Sequence, residues 1–394
     1  MENKYLIVNR GSASEKYAVY TKEKCLAFLH LEKTDQCNDF VSTLYINNNK
    51  VEECITKKEF NNSLNYALGL FIKNGVLVDK KEIIGIGIRI VAPGEYFQKD
   101  KIIDKIYEKE IKKVIQDAPL HILPTYEAIR DLRKMFKSVS IIGVSDSSFH
   151  ITSPAKAKYY AIPFSDSEEN RIQRFGYHGI SVKSVINSLQ VSQDRLPERI
   201  IVCHIGGGVS LTAIKDGQSV ENSMGFTPLE GAMMATRGGD IDPGAIAFLS
   251  DNLGLRGQKL VNYLNKNCGL LGVSGKSSDI RDLIKLESEG EARAKLALEM
   301  FVYRIQKYIG AYFVVLGGLD TIIFTATVGE RSFIIRERIC NGLESLGVKI
   351  DKTVNNQSEG VEADISAPDS LIKVLVRITS EMDQIAREAI ALLG

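Results

Sequence analysis

The stretch Arg199–Gly217, RIIVCHIGGGVSLTAIKDG, reads as a strand, a turn of three glycines at Gly206, Gly207 and Gly208, a second strand, and a hairpin turn at Lys215-Asp216-Gly217. β-branched residues fill both runs and glycines punctuate their ends, which favours strands over helix. The chain opens in the same order. An apolar run, Tyr5–Val8, ends in the polar glycine turn Asn9-Arg10-Gly11-Ser12-Ala13-Ser14. The aromatic and β-branched segment Lys16–Leu31 then predicts further strands, turning at Thr21–Lys24. Two copies of one unit predict a duplicated architecture. A third version, LDTIIFTATVGERS from Leu319, runs from a buried strand through Gly329 into a helix, RSFIIRERICNGLESLG, whose amino terminus faces the loop. Helical spacing is also present at Glu108–Gln116, Pro124–Phe136, Ser181–Leu189, Gln258–Asn267 and Glu291–Phe313. Helices therefore alternate with strand groups, and the expectation is an α/β protein with two mixed sheets and a cleft between them.

Length and composition bound the function. The 394 residues allow two domains or three, and 44% hydrophobic with 25% charged residues fits a folded protein rather than a disordered one. Fifty Lys+Arg against 49 Asp+Glu leave a net charge of +1, which argues against a nucleic-acid partner held by a basic surface. The least charged stretch, Tyr308–Gly329, has a Gly-Gly pair and Asp320 at its centre, so a helix end, a turn and a buried strand are expected there rather than a membrane span. Cys25, Cys37, Cys54, Cys203, Cys268 and Cys340 show no metal-ligand spacing and are read as reduced, mostly buried thiols of a cytoplasmic protein.

The glycine turns offer backbone N–H groups to phosphate oxygens, because glycine lets the chain approach closely. None has the G-x-x-x-x-G-K-[ST] pattern, and the first two lead into strands, so P-loop and Rossmann readings fail on context. Of five histidines, His121, His150, His178 and His204 fall in turns at apparent strand ends, where an α/β cleft gathers its ligands, while His30 lies within a strand. The densest segment is Ser223–Pro243, SMGFTPLEGAMMATRGGDIDP. It sets Arg237 among glycines and the acids Asp240 and Asp242, and a planar guanidinium there suits a carboxylate or a phosphate.

These residues resemble the acetate kinase family, which includes propionate and butyrate kinases. The motifs NRGSASEKY, APLH, SDSSFH, RFGYHGIS, CHIGGGVS, MGFTPLEGAMMATRGGDIDP, GLLGVSGKSSDIRD and FTATVGERS follow the family's order from residue 6 to about 388. The resemblance implies a duplicated actin/hexokinase-like (ribonuclease H-like) two-domain α/β fold with an interdomain cleft. The domains are expected at 1–150 plus about 380–394, and at 151–379. It also implies reversible transfer of the ATP γ-phosphoryl group to acetate, with Mg2+ (or Mn2+), in a homodimer. A carboxylate of reference pKa about 4 is already ionised at neutral pH and needs no general base, so positioning and charge carry the reaction.

By the same resemblance, Arg89 and Arg237 serve the substrate carboxylate and the phosphoryl oxygens, His178 bonds the group in flight, and Asp146 orients an arginine or a magnesium-bound water. Asn9 and Glu381 match metal-associated positions. Ser12, Ser14 and Lys16 match the first phosphate loop, and His121, His204 and Gly206–Gly208 match phosphate or substrate contacts. Val91, Leu120, Tyr177 and Pro228 match a small apolar pocket for the acetate methyl, where one methylene is worth only about 1–3 kcal/mol, so propionate is an alternative substrate. Asp279, Ile280 and Arg281, with Thr327, Val328, Gly329, Glu330 and Arg331, match the nucleotide side. The chain departs from the family pattern at Arg10, Ala92-Pro93, Val182, Gly207, Thr327 and Arg331. Those departures leave two alternatives: a changed phosphoryl donor, such as another nucleotide or pyrophosphate, and a nucleotide-binding homologue without turnover.

Overall fold

The apolar run at Tyr5 becomes the centre of strand β1 (Lys4–Arg10), with Tyr5, Leu6, Ile7 and Val8 all buried. In this computed structural model, which describes residues 2–11, 14–34, 40–47, 49–115, 119–192 and 195–394 (backbone alone for 119–121), the chain forms two compact units. The first is Met1–Ser148 with Ser380–Gly394, and the second is Phe149–Thr379.

In the first unit β1 is followed by β2 (Ser14–Tyr20), β3 (Cys25–Lys33), β4 (Phe40–Ile46), β5 (Asn49–Cys54), β6 (Ile83–Ile90), β7 (Lys101–Ile102) and β8 (Ser140–Ser145). Their order in the sheet is β5-β4-β3-β2-β1-β6-β8-β7. β1 runs antiparallel to β2 and parallel to β6, which runs parallel to β8. The second unit holds β9 (Arg199–Ile205), β10 (Val209–Lys215), β11 (Gln218–Asn222), β12 (Thr321–Thr325), β13 (Ala363–Asp364) and β14 (Lys373–Val376), ordered β11-β10-β9-β12-β14-β13. Here β9 runs antiparallel to β10 and parallel to β12, which runs parallel to β14. Five consecutive strands of each sheet, β3-β2-β1-β6-β8 and β11-β10-β9-β12-β14, thus share one topology: an antiparallel meander, then two parallel strands added beyond its first. Both sheets are mixed, and the duplication read from the glycine turns is present in the backbone.

Two glycines of β6 bring the end of the chain to the first unit's site. A Cβ at Gly85 would lie 2.3 Å from Leu393 Cδ1, and one at Gly87 would lie 2.7 Å from Ala389 Cβ. Only bare backbone lets helix Glu381–Leu393 pack this closely on the strand. The helix buries Met382, Ile385, Ala386 and Ala389, and its first residue is Glu381. In the second unit, helix Gly179–Ser192 buries Val182, Val185, Ile186 and Leu189 against Ile200, Val202, Ile323 and Leu375. Val182, one of the departures from the family pattern, is therefore a core residue in this chain.

Element boundaries moved in physically explicable ways. The helix expected from Glu108 spans Lys105–Lys113, started by Asp104, which accepts from the Tyr107 N–H at 2.7 Å. The helix expected from Pro124 begins at Pro119 and carries Pro124 inside it. The helix read from Arg331 to Gly347 spans only Phe333–Cys340, and a separate helix, Ala326–Arg331, precedes it where the loop was expected. Ser332 leaves helical geometry between them, and its hydroxyl accepts from the Ile335 N–H. Helix Ala292–Leu316 ends in left-handed Gly317, and the chain enters buried β12, as expected for Tyr308–Gly329. No helix among the described residues is long and apolar enough to cross a membrane. The reading of six reduced cysteines is corrected: Cys54 is disulfide-bonded, whereas Cys25, Cys203, Cys268 and Cys340 are free.

Candidate active site

In the first unit the site is built on three adjacent chain segments. Arg89 lies near the end of β6, Asn9 near the end of β1, and Asp146 directly after β8, with its N–H donating to the Ile90 carbonyl at 2.9 Å. Parallel strands β1, β6 and β8 bring these ends together. Arg89 grips Asp146 with two bonds, Nε to Oδ1 at 3.1 Å and Nη2 to Oδ2 at 2.9 Å. Its Nη1 donates to Asn9 Oδ1 at 3.4 Å and lies 4.0 Å from Glu381 Oε2, which also accepts from Asn9 Nδ2 at 2.9 Å. Asp146 is fully buried, while Arg89 keeps 18% of its side chain exposed. Burial works against the guanidinium charge, yet Asp146 and Glu381 hold Arg89 above its ordinary value. The result is an arginine of fixed orientation with one edge toward solvent. Val91 follows at the end of β6, half-buried.

Lys16 lies opposite Asn9 in the β1–β2 ladder and is half-buried. Ser14 begins β2 and its carbonyl accepts from the Gly11 N–H at 2.8 Å. Ser12 lies outside the described residues, as do the side chains of Leu120 and His121, which fall on the helix from Pro119.

In the second unit His178 precedes helix Gly179–Ser192 with a positive φ of 62°, a conformation rare for a residue with a Cβ. Its Nδ1 is 3.0 Å from Ser210 Oγ, and its ring stacks on His204 with centroids 4.0 Å apart. His204 is the penultimate residue of β9, directly opposite Ser210 of β10. A Cβ on Gly208 would sit 3.1 Å from His178 Cε1 and 3.4 Å from Arg237 Nη1, so this one glycine lets the histidine and the arginine crowd the turn together. Arg237 Nη1 donates to the Pro228 carbonyl at 3.0 Å, and its own carbonyl accepts from the Met234 N–H. Tyr177, 1% exposed, donates from its hydroxyl to the Phe226 carbonyl at 2.7 Å and backs this segment.

The chain matches the acetokinase family model from residue 4 to 387. The chain belongs to the acetokinase family. Among curated proteins it is 39% identical to the acetate kinase of Macrococcus caseolyticus, over 98% of both chains. It is equally similar to that of Methanosarcina thermophila, over 98% of this chain and 96% of the other. Among solved structures, Porphyromonas gingivalis acetate kinase superposes with a TM-score of 0.86 at 34% identity, covering 100% of each chain. A propionate kinase from Francisella tularensis gives 0.88 at 33% identity over 99% of each.

The segments matched to the acetokinase nucleotide side are arranged differently from one another. Asp279 starts helix Ile280–Ser288, accepting from the Arg281 N–H at 2.8 Å and pairing with the exposed Arg281 guanidinium at 2.6 Å; Ile280 is buried. Thr327 and Arg331 are exposed, Val328 is half-buried and Gly329 buried. Glu330 turns inward: its Oε1 accepts from the Ala326 N–H and the Thr379 N–H, both at 2.9 Å, and burial raises its carboxyl above the usual range. Gly206 bonds its N–H to the Gly208 carbonyl at 3.0 Å, and a Cβ on Gly207 would meet nothing within 4 Å.

Other residues of the dense motif are structural. Asp240 accepts from the Gly231 N–H at 2.9 Å and the Tyr308 hydroxyl at 2.6 Å, and Asp242 starts helix Pro243–Leu253. His150, read with the other turn histidines, is 1% exposed with Nδ1 on Ser219 Oγ and Nε2 on the Tyr177 carbonyl. Sequence reading missed Ser210, Ser181 and Thr379, which contact the two site histidines or each other, and Arg336. Arg336 is fully buried beneath the nucleotide-side loop, with its guanidinium on the carbonyls of Gly329, Glu330, Asn355 and Ser358 and on Asn355 Oδ1. Ser210 was within reach: pairing the two strands across Gly206–Gly208 places it against His204.

Proposed function

We propose that this protein is an acetate kinase that transfers the γ-phosphoryl group of ATP reversibly to acetate, by direct in-line displacement. The observation that carries the reading is the two-point attachment of Arg89 to buried Asp146, which fixes a cation without creating a general base. Such a group suits an acceptor already ionised at neutral pH, whose reaction needs orientation and charge rather than proton removal.

Arg89 orients the acetate carboxylate, and Arg237 with His178 meets the equatorial phosphoryl oxygens. Lys16, Ser12 and Ser14, with His121, His204 and Gly206–Gly208, bind phosphate, while Asp279, Ile280, Arg281 and residues 327–331 face the nucleotide. Val91, Leu120 and Pro228, backed by Tyr177, bound the methyl group. Asn9 and Glu381 offer hard oxygen ligands, which fit a magnesium ion that keeps most of its coordination for water and phosphate oxygens. Bound there, the ion would neutralise charge on the phosphates. Propionate is a weaker alternative substrate, supported by the likeness to a propionate kinase.

A homodimer is also proposed. Helix Pro243–Leu253, PGAIAFLSDNL, has no buried residue, and Phe248 is 72% exposed. That apolar surface suits a second copy of the chain. ATP as donor and the four free thiols support a cytoplasmic setting.

The test is acyl-hydroxamate formation from acetate, Mg2+ and hydroxylamine with ATP, GTP or pyrophosphate as donor. Saturable product with ATP, lost in Arg237→Ala, is expected. Full activity in that variant removes Arg237 from the mechanism, and product with pyrophosphate alone replaces the donor. ATP binding without product would mean a homologue that has lost turnover.

A further inference from the structure

Where the chain leaves β12 it turns at Ala326, whose φ of 64° puts a residue with a Cβ in the left-handed region. Thr325 before it is extended, and Ala326 itself opens the short helix Ala326–Arg331. Thr325 lies opposite His204 in the parallel pairing of β12 with β9, so the turn leaves the sheet beside the glycine turn Gly206–Gly208. Ala326 is buried, and its Cβ stands 3.6 Å from where a Cβ on Gly206 would be. One side chain spans the left-handed residue. Glu330 Oε1 accepts from the Ala326 N–H at 2.9 Å, and the Thr379 N–H holds the same oxygen, also at 2.9 Å, from outside the turn. Thr325 Oγ1 adds a longer contact at 3.4 Å.

We propose that Glu330 is a positioning residue that holds Ala326 left-handed and thereby aims residues 327–331, an inference that rests on the nucleotide reading above only for its consequence in binding. Alanine in the left-handed region is disfavoured roughly 5- to 30-fold against its ordinary conformations, because its Cβ crowds the following carbonyl. The two N–H bonds to an ionised carboxylate offset that cost. Glycine at the same position would carry no such cost, since without a Cβ both signs of φ are about equally open.

The consequence lies in the direction of the loop. A turn released to negative φ would leave β12 along another path and carry Thr327–Arg331 away from Gly206–Gly208. When only a fraction of molecules holds the aimed turn, apparent affinity for a ligand that needs it falls by that fraction. Glu330 therefore acts on the nucleotide through the backbone, from the inward side of the loop, while Thr327 and Arg331 stay exposed.

The test is a two-residue cycle on the full-length protein: wild type, Glu330→Ala, Ala326→Gly and the double variant, each read by calorimetric titration with MgATP and by urea unfolding without ligand. Glu330→Ala is expected to weaken MgATP about ten-fold, whereas in the Ala326→Gly background the same change costs only about two-fold, because glycine adopts the turn unaided. Glu330→Gln keeps an acceptor oxygen and is expected to recover most of the affinity lost in Glu330→Ala. In unfolding, Ala326→Gly is expected to favour the folded state at least about five-fold more in the wild type than in Glu330→Ala, where the turn has already relaxed and there is no strain to relieve. If Glu330→Ala does not fold, Glu330→Asp carries the same cycle, its side chain being one methylene too short for the Ala326 N–H. An unchanged affinity in the Glu330 variant, a loss undiminished by Ala326→Gly, or an equal effect of Ala326→Gly on folding in both backgrounds overturns the proposal. A wild type that binds no MgATP yet shows the expected coupling in unfolding would refute the nucleotide reading and leave the hold on Ala326 standing.

Discussion

Replacing Gly208 by alanine adds one methyl group at the point where His178 and Arg237 converge. That methyl would stand 3.1 Å from His178 Cε1, 3.2 Å from Nε2 and 3.4 Å from Arg237 Nη1, a few tenths of an ångström inside ordinary contact. The neighbours are ends of side chains, and both residues are only half-buried. They can therefore yield, and the cost to stability should stay below about 1 kcal/mol, the low end for overpacking. Activity has no such slack, since displacements of about 1 Å can cost about 100-fold in rate. A shift of a few tenths should then lower kcat about ten-fold, or about 1.4 kcal/mol in the barrier. Gly207→Ala is the steric control, because its methyl meets nothing within 4 Å. The assay is hydroxamate kinetics at saturating ATP and acetate, with a thermal melt of each variant. The reasoning fails if Gly208→Ala turns over like the wild type, or if Gly207→Ala loses as much kcat as Gly208→Ala.

Arg336→Met takes a guanidinium donor from the carbonyls of Gly329, Glu330, Asn355 and Ser358, of which Glu330 and Asn355 keep the N–H groups of Gly360 and Ser358; at about 1–3 kcal/mol per unsatisfied group, a loss of about 3 kcal/mol is expected in urea unfolding. Arg336→Lys should recover only part of it, because an ammonium cannot span the same fork of acceptors. Arg10 and Glu15 face each other across the first hairpin with N···O at 2.9 Å and side chains 15% and 6% exposed. Breaking this pair from either side should cost about 3 kcal/mol, whereas Arg10→Ala with Glu15→Leu should fall within about 1 kcal/mol of wild type; a double variant as unstable as the singles would be the contrary result. Burial raises the folded-state carboxyl of Glu330 above its ordinary 4.5, so its ionisation costs stability as pH rises through that higher value. Glu330→Gln should accordingly match or exceed wild-type stability at pH 7 and lose that advantage below about pH 4.5, as read by urea titrations at both pH values.

The parts of this molecule that were legible in the sequence are those written locally or written twice. A strand, a glycine turn and a strand occupy fewer than twenty residues, and the pattern at Arg199 repeats the one at Lys4, so the duplicated meander needed no long-range information. Arg237 was singled out for a related reason: a guanidinium amid glycines is costly unless something holds it, and the dense motif around it signalled as much, whereas Arg89 was named only by the family resemblance. The hydroxyls were not. A serine or threonine satisfies itself on almost any neighbouring carbonyl, so Ser181 and Thr379, 198 positions apart, carry no mark of their meeting. Arg336 was equally unmarked. Nothing in the run RSFIIRERIC sets it apart from a solvated charge, yet its guanidinium meets carbonyls of helix Ala326–Arg331 and of the end of helix Lys352–Gln357. Charge in a motif thus advertises a site, whereas the partners that hold a buried polar side chain are decided by strand register and by where one helix meets another, and neither is a property of residue type.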